Sequence, residues 1–289
     1  MLPRLLAFPF LVALGVLLYL TYFIDSGYGI YMLPVVIALV FLYILQPQID
    51  WWWYNRNLPD LEEPMQRLLA AKLPYYKKLD KDQQLRFRQR CALYLLANDF
   101  IPQGPKVVPE DIKGLLAANV VQLTFGQMDY RLSMFERVVI YTIPFPSPQY
   151  PEHLHSSELF AEDGVLLFTA DHLVKGTLEN QRYFNVGLYE YAKVFRLSYP
   201  KYAYPVEGLS WEALEKVSGF ITQKVKDYVG LPELDILAVA IVYFFCFPTR
   251  FRTNFPEVSQ QLQVIFNQDP SQEGNPVIHT DRIGKDGSQ

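Results

Sequence analysis

The chain has 289 residues, of which 51% are hydrophobic and 15% aromatic, enough apolar side chains for one large folded domain or two small ones. Its formal net charge of -4 leaves no basic excess, which argues against direct binding to nucleic acid. The two cysteines, Cys91 and Cys246, lie in apolar stretches far apart in sequence. We interpret them as buried free thiols in a reducing compartment, with a single disulfide as the alternative.

Two uncharged apolar stretches lie near the beginning of the chain. Residues 5–24 are long enough to cross the hydrocarbon core of a membrane, and residues 28–45 form a second, slightly shorter span. Only residues 25–27 separate them, which predicts a tight two-helix transmembrane hairpin. A cleaved signal peptide is the alternative for the first stretch, but the apolar run is too long and lacks an evident cleavage site. Neither span contains an ionisable residue, so transport has no support.

The charges beside the two spans predict their orientation. Arg4 precedes the first span and Arg56 follows the second, whereas the turn carries only Asp25. The positive-inside rule therefore predicts that both termini lie in the cytoplasm. Consecutive tryptophans directly after the second span predict an aromatic belt at the membrane surface, with packing against the soluble domain or a membrane partner as alternatives. These residues are Trp51, Trp52 and Trp53.

The chain then becomes more polar and mainly helical. Residues 57–78 predict a linker with a short helix. Asp80 is placed to cap a long helix that ends near Asn98, and Pro109 opens another helix that runs to about Phe125. These elements predict a helical first half of the folded domain.

Two regions have strand signals. Residues 138–143 are mostly β-branched and end at a proline, which predicts one short strand. Residues 157–161 and 165–169 are joined by Asp163-Gly164, the strongest hairpin signal in the chain. The sequence therefore predicts a small sheet among helices.

Residues 185–197 are central to the interpretation. Their apolar side chains recur at spacings of three, four and seven, which predicts a mostly buried helix. Tyr189 and Lys193 then share one face, with Glu190 beside them. Zinc peptidases carry His-Glu-x-x-His at this spacing, because two imidazoles one turn apart reach one metal and the glutamate activates its water. Both histidines are missing here.

The last part of the chain again predicts helices. Ser210 is placed to cap one, and residues 234–247 form an apolar helix that is too short to span a membrane and is expected in the core. Pro256 opens a final helix that ends before Pro270. Residues 271–289 are polar and predict a flexible tail.

From about Leu79 to Pro270, the sequence resembles the zinc-dependent peptidase family typified by Mlc titration factor A, a bacterial cytoplasmic aminopeptidase with a zincin-type domain. Residues 164–168 look like the family's hairpin strand. Residues 185–193 fall where the family has Asn-Val-Val-x-His-Glu-Phe-Ala-His. Residues 238–245 look like the family's Ala-Val-x-Ser-Glu-x-Phe-Phe, whose glutamate is the third zinc ligand.

The resemblance implies that Tyr189, Lys193 and Val242 occupy the zinc-ligand positions and that Glu190 occupies the catalytic-base position. Valine offers no donor, lysine is a cation at neutral pH, and a tyrosine phenol is a poor ligand. We therefore predict that zinc and other cofactors are absent and that Glu190 is a vestigial base. We hypothesise that Lys193 replaces part of the metal charge by pairing with Glu190 or an acid such as Asp235. The alternative is that both side chains reach solvent.

Other chemistries have weaker signals. His153 and His155, with Glu152 and Glu158, are a candidate for an atypical metal site, but they lie in a Pro-flanked loop, and His-x-His is common on protein surfaces. The sequence contains no P-loop, no Gly-x-Ser-x-Gly elbow and no Gly-x-Gly-x-x-Gly.

We predict an α+β fold in which a mainly helical zincin-like domain with a small mixed sheet follows a two-helix transmembrane hairpin. The hairpin comprises residues 1–56, the linker helix region residues 57–78, the zincin-like domain residues 79–270 and the tail residues 271–289.

The predicted function is that of an inactive zinc-peptidase homologue, anchored in the bacterial inner membrane and facing the cytoplasm, that binds protein partners or acts as a scaffold. An extended peptide would add to an edge strand. The candidate edge strand comprises Val165, Leu166, Leu167, Phe168 and Thr169. The resemblance also implies a regulator as partner, because the family's type member binds a transcriptional repressor. The alternatives are an active zinc metallopeptidase or aminopeptidase, and a structural subunit of a membrane complex docked through the hairpin and its tryptophans.

Overall fold

The computed structural model describes residues 2–104, 106–132, 134–274 and 276–279, without the side chains of residues 2–4 and of residue 55. The chain divides into two units, the first ending at Pro59 and the second beginning at Asp60.

The first unit consists of helices. These are α1 (Leu2–Phe23), a short 3-10 helix (Ser26–Tyr31), α2 (Met32–Ile44) and α3 (Gln46–Arg56). The stretches Leu5–Phe23 and Ser26–Ile44 each have 19 residues and are long and apolar enough to cross a membrane. Helices α1 and α2 contact each other, and the carboxylate of Asp25 accepts a hydrogen bond from the Gly27 amide at 3.1 Å in the turn between them. These helices agree with the predicted two-helix hairpin.

The tryptophans predicted at the membrane surface lie on α3. Trp52 and Trp53 are 51% and 40% exposed, and the Arg56 guanidinium lies 4.5 Å from the centre of the Trp52 ring. Exposed indoles beside a cation are typical of a membrane-surface segment, and they also suit a protein contact.

The second unit begins with helices. These are α4 (Glu63–Lys72), α5 (Pro74–Lys77), α6 (Lys81–Ala97) and α7 (Glu110–Thr124). The Asp80 carboxylate accepts a hydrogen bond from the Gln83 amide at 2.9 Å, so α6 begins where its cap predicts. Most of the segment expected as a linker, residues 60–78, belongs to this unit, and Met65 and Leu69 of α4 are buried in its core.

The described strands form a mixed four-stranded sheet. They are β1 (Asp99–Gln103), β2 (Arg137–Tyr141), β3 (Ser157–Phe160) and β4 (Val165–Thr169), in the spatial order β1-β2-β4-β3. β3 and β4 are the antiparallel hairpin that Asp163-Gly164 predicts, and the other two pairs are parallel. Strand β1 is not among the predicted elements, because proline is unusual inside a strand. Pro102 is tolerated here because β1 lies at the edge of the sheet.

The prediction that Val165–Thr169 is an edge strand is wrong. This strand, β4, pairs with β2 on one side and with β3 on the other, so both of its edges are occupied. The edge strand of this half of the sheet is β3. The reason is topological: β2 and β4 pair directly, which leaves the first strand of the hairpin outermost.

The remaining helices close around the sheet and the central helix α9. They are α8 (Ala170–Leu178), α9 (Val186–Ser198), α10 (Trp211–Ser218), α11 (Thr222–Val229), α12 (Ile236–Cys246), α13 (Pro248–Asn254) and α14 (Pro256–Phe266). Residues 237–246 are buried throughout, which confirms α12 as a core helix rather than a membrane span. Cys91 and Cys246 are both buried free thiols.

The described part of the predicted flexible tail is packed rather than loose. Val277 is 5% exposed, and the Gly274 amide donates to the Lys78 carbonyl at 2.7 Å. Asn267 also holds this segment, since its side chain accepts from the amide of His279 and donates to its carbonyl, both at 2.9 Å. Residues 280–289, which complete the predicted tail, lie outside the described residues.

Candidate functional site

The candidate site is organised by the beginning of α9. The side chain of Asn185 accepts a hydrogen bond from the Leu188 amide at 2.9 Å and donates to Asn119 at 2.9 Å, which fixes the first turn of the helix against α7. Gly176 on α8 allows a close approach, since a Cβ there would lie 2.4 Å from the Phe184 carbonyl oxygen. These contacts set the positions of Tyr189, Glu190 and Lys193 in the next two turns.

Glu190 lies in the interior, with an ion pair at one carboxylate oxygen and a hydrogen bond at the other. Its exposed fraction is 0%, and the Lys193 ammonium lies 2.5 Å from its Oε2. The hydroxyl of Ser157, on the edge strand β3, donates to its Oε1 at 2.8 Å. Of the arrangements considered for Lys193, the structure therefore has the pair with Glu190. The Lys193 side chain is 21% exposed, so the ion pair reaches from the interior to the surface.

Asp235 has a different role from the one considered for it. Its carboxylate pairs with Arg196 and accepts hydrogen bonds from the Leu237 and Ala238 amides, both at 3.0 Å, so it caps α12. Its own amide donates to the Tyr189 hydroxyl at 3.0 Å. These contacts join α9 and α12 beside the positions at which the family resemblance implies zinc ligands.

Tyr189 is buried as a neutral phenol. Burial, together with the negative charge of Glu190, raises the pKa of Tyr189 well above its ordinary value. The Lys193 ammonium lies 4.7 Å from the centre of its ring, a distance at which a cation and an aromatic face attract. The phenol therefore stays protonated at neutral pH, and its oxygen accepts the hydrogen bond from the Asp235 amide at the beginning of α12.

The residues at the ligand positions do not fit a zinc ion. Tyr189 is a protonated phenol, Lys193 is a cation held by Glu190, and Val242 is an apolar side chain on α12 with 1% exposure. Zinc requires imidazole, thiolate or carboxylate donors in a near-tetrahedral set. Across the described residues, no group of three or more His, Cys, Asp or Glu side chains is arranged to hold a metal ion.

The histidine pair considered as an atypical metal site is not assembled. His155 is fully buried, with Nε2 2.9 Å from Glu158 Oε2 and Nδ1 2.9 Å from the His153 carbonyl oxygen. The His153 side chain is exposed, as is that of Glu152. Both His155 nitrogens therefore already have protein partners. Through Glu158 and the His153 carbonyl, His155 joins the beginning of β3 to the preceding loop.

Sequence reasoning missed Ser157 as a member of the site. Ser157 lies opposite Phe168 in the hairpin, so its side chain shares the buried face of the sheet with that ring. The available signal was a polar residue at a core-facing position of a predicted strand. That signal shows that Ser157 needs a partner, but it does not identify Glu190, because the two residues meet only in the folded chain.

The family model that matches this chain is "Glucose-regulated metallo-peptidase M90", over residues 49–196. The match covers slightly more than half of the chain, including Tyr189, Glu190 and Lys193, and ends before α12 and Val242. Among curated proteins, none matches. The family match agrees with the resemblance found in residues 164–168 of the hairpin and residues 185–193 at the beginning of α9. The chain therefore belongs to the glucose-regulated metallo-peptidase M90 family, the Mlc titration factor A type.

Proposed function

We propose that this protein is a membrane-anchored member of the family that binds proteins and does not hydrolyse peptides. The observation that carries the proposal is the Ser157–Glu190–Lys193 cluster, which engages both oxygens of the catalytic-base carboxylate inside the protein. A general base must accept a proton from a water molecule within hydrogen-bond reach. Glu190 is fully buried, already accepts a hydrogen bond from a hydroxyl and is ion-paired with an ammonium, so it is poorly placed for that step.

The loss of metal-ligand donors supports the same proposal. A buried carboxylate beside zinc is stabilised by the metal charge, and here the Lys193 ammonium supplies a positive charge instead. The cluster keeps the architecture of α9 stable without a metal. Glu190 then acts as a structural residue that joins α9 to β3, and zinc is not required as a cofactor.

The partner in this proposal is an extended segment of another protein, which would add to the outer edge of β3. In the described part of the chain, β3 ends the sheet on this side, and it adjoins α9 through Ser157. The Ser156 amide donates to the Val229 carbonyl at 2.7 Å, so we place the proposed pairing at the later part of the edge, Glu158–Phe160. Strand addition depends on backbone hydrogen bonds and needs no metal.

Anchoring is proposed through the apolar helices of the first unit, with both termini and the second unit on the cytoplasmic side of a bacterial inner membrane. The exposed Trp52 and Trp53 favour one second candidate, a structural subunit that docks to a membrane complex through α3. Indoles with such exposure suit either a lipid surface or a protein partner.

Metal analysis distinguishes the proposed binding function from that of an active zinc peptidase. Full-length protein purified in detergent without chelator should contain far less than one zinc per chain. The variant Tyr189→His/Lys193→His/Val242→Glu restores the donors implied by the family and should gain about one zinc per chain. A stoichiometric zinc in the wild-type protein would contradict the proposal, whatever the variant does.

Site-specific photo-crosslinking separates the two binding surfaces. A photoreactive residue is placed at Phe160 on β3, at Trp52 on α3, or at the exposed Val264 on α14 as a control. Crosslinked protein that is specific to Phe160 supports strand addition, and crosslinking specific to Trp52 favours the subunit of a membrane complex. Equal labelling from all three positions would argue against both surfaces.

A further inference from the structure

A cavity that the family signature does not explain lies where the loop before α9 meets the turn between α10 and α11. Its volume is about 370 Å³. Four aromatic side chains form its walls, namely Tyr183, Phe184, Phe220 and Tyr228. None of the vestigial zinc positions lines it, so this aromatic cavity is a separate feature of the second unit.

The aromatic side chains that form the walls contact residues outside the cavity, which fix their positions. Phe184 is 3% exposed, and its ring centre lies 5.5 Å from that of Tyr189. The Phe220 ring packs edge-on against Phe247 at 5.8 Å, and the Tyr228 hydroxyl donates to the His172 carbonyl at 3.4 Å. A cavity with walls fixed in this way exists before any ligand arrives, which lowers the entropic cost of binding.

The charged residues that line the cavity are both cations, Arg182 and Lys224. The Arg182 side chain is 80% exposed, with Glu179 at 3.7 Å as an exposed partner. Within the described ranges, Lys224 has no carboxylate at ion-pair distance, and no acidic residue lines the cavity. The lining therefore carries two positive charges beside apolar walls, and of these only Arg182 has a carboxylate partner among the described residues, the exposed Glu179.

Acidic residues near the cavity have other partners. The Asp171 carboxylate is paired with the Lys175 ammonium at 2.7 Å. The Glu215 carboxylate accepts a hydrogen bond from the Thr222 amide at 2.6 Å and so caps α11. These contacts engage both carboxylates elsewhere. Within the described ranges, Lys224 is thus left without a carboxylate partner, and Arg182 has only the exposed Glu179, which a ligand carboxylate could replace.

We infer that this aromatic cavity binds a carboxylate carried on an aromatic or branched apolar group. The volume is at the lower end of the range for small-molecule sites, about 300–1,000 Å³, which suits a ligand of one or two amino-acid residues. The apolar group packs against Phe184 and Phe220, and the carboxylate lies between Arg182 and Lys224. A free acid and the C-terminus of a peptide both have this chemistry.

The test measures binding of three probes to the full-length protein in detergent by ligand-observed NMR titration. N-acetyl-L-phenylalanine has the carboxylate, N-acetyl-L-phenylalaninamide has the same ring without the charge, and N-acetyl-Gly-Gly-Phe represents a peptide C-terminus. The first probe should bind saturably and about tenfold more tightly than the amide, because an ion-paired hydrogen bond is lost in the amide. If the peptide binds more tightly than the free acid, the C-terminus is the preferred source; the reverse result indicates a small molecule.

Paired variants locate the site. Arg182→Gln/Lys224→Gln should weaken carboxylate binding about tenfold and leave the amide unchanged. The control Lys72→Gln/Lys81→Gln removes the same charge from exposed positions on α4 and α6, and should not alter binding. The inference is overturned if neither acid binds the wild-type protein, if the acid binds no better than the amide, or if both double variants weaken binding equally.

Discussion

Replacing Lys193 by methionine tests whether its ammonium stabilises the interior of the site. Methionine keeps an unbranched apolar stem over the Tyr189 ring but removes the charge that lies 2.5 Å from Glu190. The Glu190 carboxylate then keeps the hydrogen bond from Ser157 and loses its cation, while its exposed fraction is 0%. An unpaired buried carboxylate is unfavourable, so we expect the variant to be less stable.

The expected loss follows from the burial of the two partners. Removing one member of a fully buried ion pair costs about 3–5 kcal/mol. The Lys193 side chain is 21% exposed, so water partly reaches the pair, and we expect a loss of about 2 kcal/mol. Lys175→Met is the matched control, because Lys175 also pairs with a carboxylate on its own helix, but both side chains are exposed. That variant should change stability much less.

The assay is urea unfolding of full-length protein in detergent, followed by circular dichroism. The double variant Lys193→Met/Glu190→Gln should regain more than half of the lost stability, because the amide is neutral and still accepts from Ser157. Two results would refute the reasoning: Lys193→Met as stable as the wild-type protein, or a double variant no more stable than Lys193→Met.

Three further predictions concern the rest of the second unit. Gly176→Ala should lower stability by about 1–3 kcal/mol in thermal unfolding, because its Cβ would clash with the Phe184 carbonyl; unchanged stability would contradict the close approach. Cys91 and Cys246 should react with iodoacetamide only after unfolding, since burial raises the pKa of both thiols, that of Cys246 to about 12. His172 should titrate below 6.5 by NMR, because burial lowers its pKa. Its contribution to stability is then present above pH 6.5 and declines as the pH falls. A titration above 6.5 would contradict this prediction.

Much of the fold could be predicted because its signals are local. The Asp80 cap marks the beginning of α6, Asp163-Gly164 marks the turn of the hairpin, and the unbroken apolar run of α12 identifies a core helix. Caps, turns and apolar periodicity depend on neighbours within a few residues. The replacement of the two histidines by Tyr189 and Lys193 could also be predicted, because the sequence gives residue identity directly.

The sequence could not decide which elements become neighbours. The order of strands makes β3 the edge in place of β4. Pro102 is compatible with a strand because β1 lies at the other edge. Val277 packs into the core from a segment whose composition predicts a tail. Each outcome depends on contacts between segments far apart in the chain, and local composition does not encode such contacts.

By itself, the sequence determined that α9 carries a peptidase signature without its histidines, and that Glu190 remained beside a lysine. Only the tertiary structure decided how that glutamate is accommodated. The fold brings Ser157 from β3 to one carboxylate oxygen and Lys193 to the other, and it assigns Asp235 to Arg196. A buried carboxylate requires partners, but which residues supply them depends on the packing of α9 against the sheet and α12.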